Sequence, residues 1–196
     1  MQKIIATVLL LANFYTSAFA AIGCSLDDPD RDVKRLFPES SGYRTTFITF
    51  KEIGGEALQK AVEEELGDKF DSVYENLDVP YAYYAVLKGK DTIGYIHGVN
   101  QKGKFGVLQL VLAIGLDGKI LAFYYQKISS PESGKFRDSV FTDQFKGLSL
   151  ADLSQGKIAD PSTNGAEDFK ATLRGIKKNL ILLDIFLNAQ ENQGGK

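Results

Sequence analysis

Residues 105–128 read FGVLQLVLAIGLDGKILAFYYQKI, and this stretch decides the fold class. Two runs of aliphatic, β-branched and aromatic residues, 105–116 and 119–128, flank the pair Asp117-Gly118. A two-residue Asp-Gly connection between such runs is the strongest short-range sign of a β-hairpin. We therefore predict two antiparallel strands joined by a two-residue turn.

Three further runs of strand-forming residues precede this hairpin, at 43–50, 81–87 and 92–99. Lys-Gly-Lys triplets at 88–90 and 102–104 follow the last two runs. Links this short make successive strands antiparallel, because a parallel pair needs a long crossover. The sequence therefore predicts an antiparallel β meander at the centre of the protein.

Helices are expected on both sides of the meander. Apolar side chains recur at helical spacing between residues 57 and 66, and Gly67 supplies a stop signal. From Phe169 to Leu187, apolar residues recur at alternating intervals of four and three residues. This spacing gives a long helix one apolar face. We predict an α+β fold in which an antiparallel β meander sheet is packed by this long C-terminal helix and by shorter helices.

The first twenty residues have the pattern of a signal peptide. Lys3 precedes an apolar run that is too short to span a bilayer, and Ala18-Phe19-Ala20 forms an A-x-A cleavage pattern. Cys24 is the only cysteine, so no internal disulfide can form, and lipidation of its thiol is one interpretation. Cleavage after Ala20, leaving a free protein, is the other. Both interpretations predict export, either to the periplasm or to the outer side of the cytoplasmic membrane.

The rest of the chain divides into three parts. Residues 21–42 form a polar linker with one short helix, residues 43–190 form the α+β domain, and residues 191–196 form a disordered tail. The formal net charge is −2. Acidic and basic residues are interspersed along the chain, and no Lys/Arg block accompanies the aromatic residues. This pattern argues against a nucleic-acid partner.

Several polar residues have a structural interpretation that needs no chemistry. Asn164 and Glu167 are spaced as a capping box at the start of the long helix. His97 is the only histidine, and we expect it on the solvent side of a strand rather than in a metal site, which needs more ligands. Ser129 and Ser130 have no nearby base and no G-x-S-x-G elbow, so we expect them to shape a turn at Pro131. We identify no catalytic residues and no metal site.

From about residue 84 to residue 185, the order of features resembles the FMN-binding domain of RnfG and NqrC subunits, which belong to membrane-bound, ion-pumping electron-transfer complexes. The features that carry the resemblance are a Gly-Tyr strand, an acidic-glycine turn, the segment SSPESG, an aromatic stretch and a polar loop that opens the last helix. They lie at Gly94-Tyr95, 114–120, 129–134, 144–147 and 160–166.

The resemblance implies a flavin site made of two segments. In the family, the segment SSPESG would read Glu-Thr-Pro-Gly-Leu-Gly and lie against the flavin, and the later loop would read Ser-Gly-Ala-Thr, with FMN carried on its threonine through a phosphoester. The implied cofactor-binding residues are Ser130, Pro131, Glu132, Ser133, Gly134, Thr163, Asn164, Gly165, Ala166 and Glu167.

This chain departs from the flavinylation motif at the attachment residue. Glu167 stands where the family has threonine, and a carboxylate does not form the same stable phosphodiester. It also repels a phosphate, since two like charges at about 4 Å cost about 1 kcal/mol in water. We therefore expect FMN to bind noncovalently or weakly, without covalent attachment.

Two hypotheses for the function follow. The first is an envelope electron-transfer domain that exchanges electrons with envelope redox proteins or within a membrane electron-transfer complex, rather than a self-contained enzyme. The second is a flavin-free binding or assembly module of the same fold. Five strand aromatics could form a wall for the flavin ring, although strand aromatics are more often core. These are Tyr83, Tyr84, Phe123, Tyr124 and Tyr125.

Overall fold

The computed structural model describes residues 25–155 and 157–194, with side chains described as far as residue 190. The predicted signal peptide and Cys24 lie outside the described residues. The helices are α1 (Pro29–Leu36), α2 (Phe50–Ile53), α3 (Gly55–Leu66), α4 (Ser133–Arg137), α5 (Ser139–Thr142), α6 (Leu150–Leu153) and α7 (Ala166–Gly194), with a 3-10 turn at Asp143–Phe145. The strands are β1 (Gly42–Ile48), β2 (Tyr81–Lys88), β3 (Asp91–Lys102), β4 (Val107–Ile114) and β5 (Ile120–Ile128).

The strands form one antiparallel sheet in the order β1-β2-β3-β4-β5. Each strand therefore pairs with its neighbour in sequence, which confirms the predicted meander and the α+β fold class. In the central pair, Val99 lies opposite Leu110. The predicted long helix is also confirmed as α7, which extends to Gly194 and so into residues 191–196, where a disordered tail was expected.

The β4–β5 turn has three residues rather than the predicted two. Gly118 N donates to Gly115 O at 3.0 Å, and Gly115 N donates to Lys119 O at 2.9 Å. Gly118 has φ +75°, the left-handed conformation that closes a three-residue hairpin loop. Leu116 therefore lies in the turn and is exposed, so the apolar run overestimated the length of the strand.

Helix α7 covers one face of the sheet and α1 covers the other. Ile176, Leu182 and Phe186 of α7 are buried in the larger hydrophobic core. On the opposite face, Val33 and Phe37 pack in a second core with side chains of the central strands. The short helix expected in the linker is thus confirmed as α1. Among the described residues, no helix is both long and apolar enough to cross a bilayer.

His97 lies in the larger core, so its predicted solvent exposure was wrong. It has no exposed surface, and its Nδ1 lies 2.9 Å from Asn179 Oδ1 on α7. Asn179 Nδ2 in turn donates to His97 O at 2.9 Å. The prediction failed because helices cover both faces of the sheet, so the side of β3 that bears a polar residue is buried too.

Candidate functional site

The two segments predicted to form a flavin site meet at the carboxylate of Glu132. Thr163 N donates to both Glu132 oxygens at 3.1 Å, and Asn164 N donates to Glu132 Oε2 at 2.7 Å. Glu132 precedes α4, whereas Thr163 and Asn164 precede α7. Segments about thirty residues apart in sequence are thus held together by one side chain.

Lys135 completes this junction. Its Nζ donates to Glu132 Oε1 at 2.5 Å and to Thr163 Oγ1 at 2.7 Å. The Lys135 ammonium, followed by the N–H groups of Asn164 and Thr163, lowers the pKa of Glu132 to about 2. The carboxylate is therefore ionised at neutral pH. Two backbone N–H groups and an ammonium are donors that suit an oxyanion, and here they surround a carboxylate.

The loop before α4 forms the turn that was expected at Pro131. Ser133 N donates to Ser130 O at 3.1 Å, and Glu132 N donates to Ser130 Oγ at 3.3 Å. Ser133 and Gly134 then begin α4. The serine therefore fixes the backbone that presents Glu132 to the second segment.

The predicted capping box of Asn164 and Glu167 was wrong. The Asn164 N–H donates to Glu132, and the Glu167 carboxylate instead forms an ion pair with Lys104 Nζ at 3.0 Å. Helix α7 begins one residue later than expected, because Phe169 N donates to Gly165 O at 2.9 Å. The Asn164 N–H, which the local pattern assigned to Glu167, thus donates to the Glu132 carboxylate of a distant segment.

Gly165 is required at the start of α7 by close packing. A Cβ atom at this position would lie 2.8 Å from Ser162 Cβ and 3.1 Å from the Phe136 ring. Ser162 Oγ also accepts from Gly165 N at 3.0 Å. The next two predicted site residues, Ala166 and Glu167, form the exposed first turn of α7.

The β3–β4 connection lies against the same helix start. Gly103 N donates to Gly106 O at 2.8 Å, which confirms that the glycine-lysine segment is a hairpin connection. Lys104 N donates to Asp168 Oδ1 at 2.7 Å, and Asp168 is fully buried. Sequence reasoning weighed the loop that contains Lys104 as a phosphate-binding loop and assigned it to a hairpin connection, but it missed Asp168 and Lys135. Lys135 had a local signal, as a basic residue directly after SSPESG.

The strand aromatics belong to the cores and do not form a wall for a ligand. Tyr83, Tyr84, Phe123 and Tyr125 are each at most 5% exposed. Tyr124 lies on the opposite sheet face from α7, where its hydroxyl donates to Asp32 Oδ2 at 3.0 Å. The core interpretation of these aromatics is therefore confirmed. Within the described part of the chain, no three His, Cys, Asp or Glu side chains cluster as metal ligands.

Comparison with known proteins gives one informative similarity. No family model matches the chain. Over 121 residues, the chain is 28% identical to the G subunit of the proton-translocating ferredoxin:NAD(+) oxidoreductase complex of Clostridium ljungdahlii. The match covers 57% of this chain and 62% of that relative, so the chain spans less than two thirds of the relative's length. The chain is thus similar to a protein whose name places it in a redox complex.

Proposed function

We propose that this protein is a flavin-binding electron-transfer domain that works with a membrane-associated redox complex or with envelope redox proteins. One observation carries the proposal: the two segments that the family resemblance assigns to FMN lie together, joined at Glu132 by Thr163 N and Asn164 N. The similarity to a component of a clostridial redox complex supports the same role.

The donors around Glu132 fit the phosphate of FMN in their chemistry. Lys135 offers a charge, and two adjacent N–H groups point at one anion. A phosphate monoester accepts the same bonds as a carboxylate and carries more charge. When bound, FMN supplies the redox chemistry, while the protein fixes its position and electrostatic surroundings. In the proposal, the phosphate replaces the Glu132 carboxylate on these donors.

Attachment of the flavin is proposed to be noncovalent. Glu167 has no hydroxyl to esterify, and its carboxylate is paired with Lys104. This pairing offsets part of the repulsion between Glu167 and a phosphate. The chain therefore retains an anion site at the start of α7 while lacking the alcohol for a phosphoester.

A flavin-free binding or assembly module is the second candidate, and Glu132 is the observation that favours it. Its carboxylate already satisfies the donors of Thr163, Asn164 and Lys135. An incoming phosphate must displace an internal anion, which lowers its net affinity. In this alternative, Glu132 is a permanent link between the two segments.

Export is the proposed location, because the predicted signal peptide and Cys24 precede the described domain. The partner is then an envelope redox protein or a complex in the cytoplasmic membrane. Lipidation of Cys24 is the proposed means of membrane association, and palmitate labelling of the wild type and of Cys24→Ala tests it. Equal labelling of the two proteins would contradict lipidation at Cys24.

The test of flavin binding is to produce the full-length protein in bacteria together with a flavin transferase, and to record visible absorbance before and after acid precipitation. Flavin released to the supernatant supports noncovalent binding. Flavin retained in the pellet contradicts the argument from Glu167. A colourless protein favours the flavin-free module.

Restoring an alcohol at the attachment position should produce covalent flavin. We predict that Glu167→Thr retains flavin in the acid pellet when a transferase is present, because the sequence then reads Gly-Ala-Thr as in the family motif. The matched control is Glu56→Thr, which changes the second residue of α3 as Glu167→Thr changes the second residue of α7. A colourless Glu167→Thr pellet would show that the assignment of residues 164–167 to the motif is wrong.

A further inference from the structure

The two edges of the sheet differ in how far they are covered. At the β5 edge, Ile120 N donates to Leu148 O at 2.9 Å, and Ile120 O accepts from Gly147 N at 2.8 Å. Tyr125 O of the same strand accepts from Arg137 Nη1 at 2.5 Å. At the other edge, β1 pairs with β2 alone, and no other described backbone group bonds to the backbone of β1. The outer side of β1 is therefore an open edge.

Strand β1 lacks the features that usually protect an open edge. Natural edges are blocked by proline, by bulges or by charged side chains, lysine above all. The sequence of β1, GYRTTFI, contains no proline and only one charge, Arg44. Its register with β2 runs without a shift from Gly42 to Ile48, whereas the pairing of β4 with β5 shifts at two places. A regular strand of this kind is a template for pairing with another strand.

Phe47 leaves apolar surface uncovered at this edge. Its side chain is 60% exposed. Side chains alternate along a strand, so Tyr43, Thr45 and Phe47 share the sheet face that α1 covers, while Ile48 is buried in the larger core on the other face. Tyr43 packs edge-on against Tyr84 at a ring-centroid distance of 5.8 Å. A strand added beside β1 would cover the Phe47 ring, which is favourable in proportion to the apolar area removed from water.

The sequence of β1 is complementary to itself. A twofold axis at Thr45 pairs every residue of β1 with a residue of a second β1. In this register Tyr43 of one copy faces Phe47 of the other, and Arg44 faces Thr46. Aromatic cross-strand pairs stabilise a sheet, whereas like charges directly opposite destabilise it. An axis at Arg44 would oppose two guanidinium groups and lose both aromatic pairs, so the axis at Thr45 is the favoured one.

We propose that β1 is a dimerisation edge, at which two copies of this chain pair antiparallel about Thr45 and join their sheets into one. The open edge, the exposed Phe47 and the self-complementary register favour a second copy as the occupant. The chain's own N-terminal segment fits less well, because Ser25 is held on the opposite edge strand, where its carbonyl accepts from Gln126 Nε2 at 2.9 Å. One strand per partner is a small contact compared with the about 800 Å² per partner of standard interfaces, so the dimer should be weak and reversible.

Sedimentation equilibrium over a range of protein concentrations tests whether this dimer forms. The protein is expressed from its full-length sequence, and every sample carries Cys24→Ala so that neither a lipid nor the native thiol joins two copies. The parent protein should approach twice the monomer mass as its concentration rises. Phe47→Lys should stay monomeric at those concentrations, because it removes the aromatic pairs and places a lysine on the edge. The matched control is Leu121→Lys, at a 46% exposed residue of the covered strand β5, and it should dimerise as the parent does.

Variants of Thr45 test the register, because this residue faces itself across the proposed twofold axis. Thr45→Lys and Thr45→Glu should each weaken the dimer several-fold through repulsion of like charges, and an equimolar mixture of the two should associate again. Thr45→Cys should form a disulfide-linked dimer on mild oxidation, because directly opposite Cβ atoms lie about 4.5–5.5 Å apart. Leu121→Cys, the matched control, should remain uncrosslinked.

Amide hydrogen exchange gives a readout that needs no variant of β1 to fold. The outward amides of β1 should exchange more slowly as the concentration of the parent protein rises, while those of β5 should not change. A parent protein that stays monomeric at its highest soluble concentration overturns the proposal and leaves the edge to a strand of a different protein. A dimer in which β1 exchange is unchanged, or in which the mixed Thr45 variants stay apart, overturns it as well, because the contact then lies elsewhere.

Discussion

Replacing His97 by glutamine should flatten the loss of stability that this protein undergoes in mild acid. The His97 ring donates from Nδ1 towards Asn179 Oδ1 at 2.9 Å, which leaves Nε2 as the unprotonated nitrogen. Nε2 is buried and has no hydrogen-bond partner among the described residues. Phe186 packs edge-on against the ring at 5.6 Å. Protonation would place an N–H and a charge in these apolar surroundings.

The size of the effect follows from the pKa. Burial lowers the pKa of His97 from 6.5 to about 4, against a smaller opposing effect of the hydrogen bonds with Asn179. Below pH 6.5, His97 becomes protonated in the unfolded chain, whereas in the folded protein it stays neutral until about pH 4. Stability therefore falls with pH across this window by about 1.4 kcal/mol per unit, or roughly 2–3 kcal/mol by about pH 4.5.

Urea unfolding of the wild type and His97→Gln at pH 7 and about pH 4.5 measures the difference. Glutamine does not titrate, so the variant should lose roughly 2–3 kcal/mol less than the wild type over this interval. Carboxylates such as Glu63 and Glu132, whose pKa values are lowered to about 2, lose their contribution mainly below this window. Equal losses in both proteins, or an NMR titration of His97 near pH 6.5, would refute the reasoning.

Two further predictions concern packing beneath α7. Glu75→Gln should destabilise the fold by about 3–5 kcal/mol in urea unfolding, because it leaves the fully buried ammonium of Lys178 without its carboxylate. The control Asp78→Asn, in an exposed ion pair, should cost less than about 1 kcal/mol, and equal costs would contradict the argument from burial. Gly175→Ala should lower the thermal midpoint although alanine favours helix, because the added Cβ clashes with Leu110 Cδ1; a higher midpoint would show that Leu110 moves aside freely.

The fold could be predicted from the sequence because the patterns that specify strands and helices are periodic and local. The strands were recognisable from runs of β-forming residues with short links, and α7 from apolar residues repeated over several turns. Strand ends were less accurate, since Leu116 is apolar but belongs to the turn after β4. Composition alone does not separate an exposed turn leucine from a strand leucine.

Polar contacts could not be predicted in the same way, because they depend on which distant segments meet. The spacing of Asn164 and Glu167 favours a local capping box, but Glu132 reaches the Asn164 N–H from another loop. His97 was placed in solvent because a lone polar residue on a strand usually faces water. Its buried partner, Asn179, lies 82 positions away, and no local pattern reveals such a pair.

Glu132 and Glu167 differ from the pattern of the resembled FMN-binding domains in both segments of the proposed site, and we infer that the two differences act together. The resembled FMN-binding domains would have glycine and threonine at these positions, so the proposed phosphate site contains two carboxylates in this chain. Each carboxylate has its own lysine: Lys135 pairs with Glu132 and Lys104 with Glu167. Because the charges are balanced internally, the loops stay joined without a cofactor. A phosphate that enters must compete with Glu132 alone, since Glu167 lies on a separate ion pair. If the proposed function holds, this arrangement favours reversible exchange of Glu132 for the phosphate over permanent attachment.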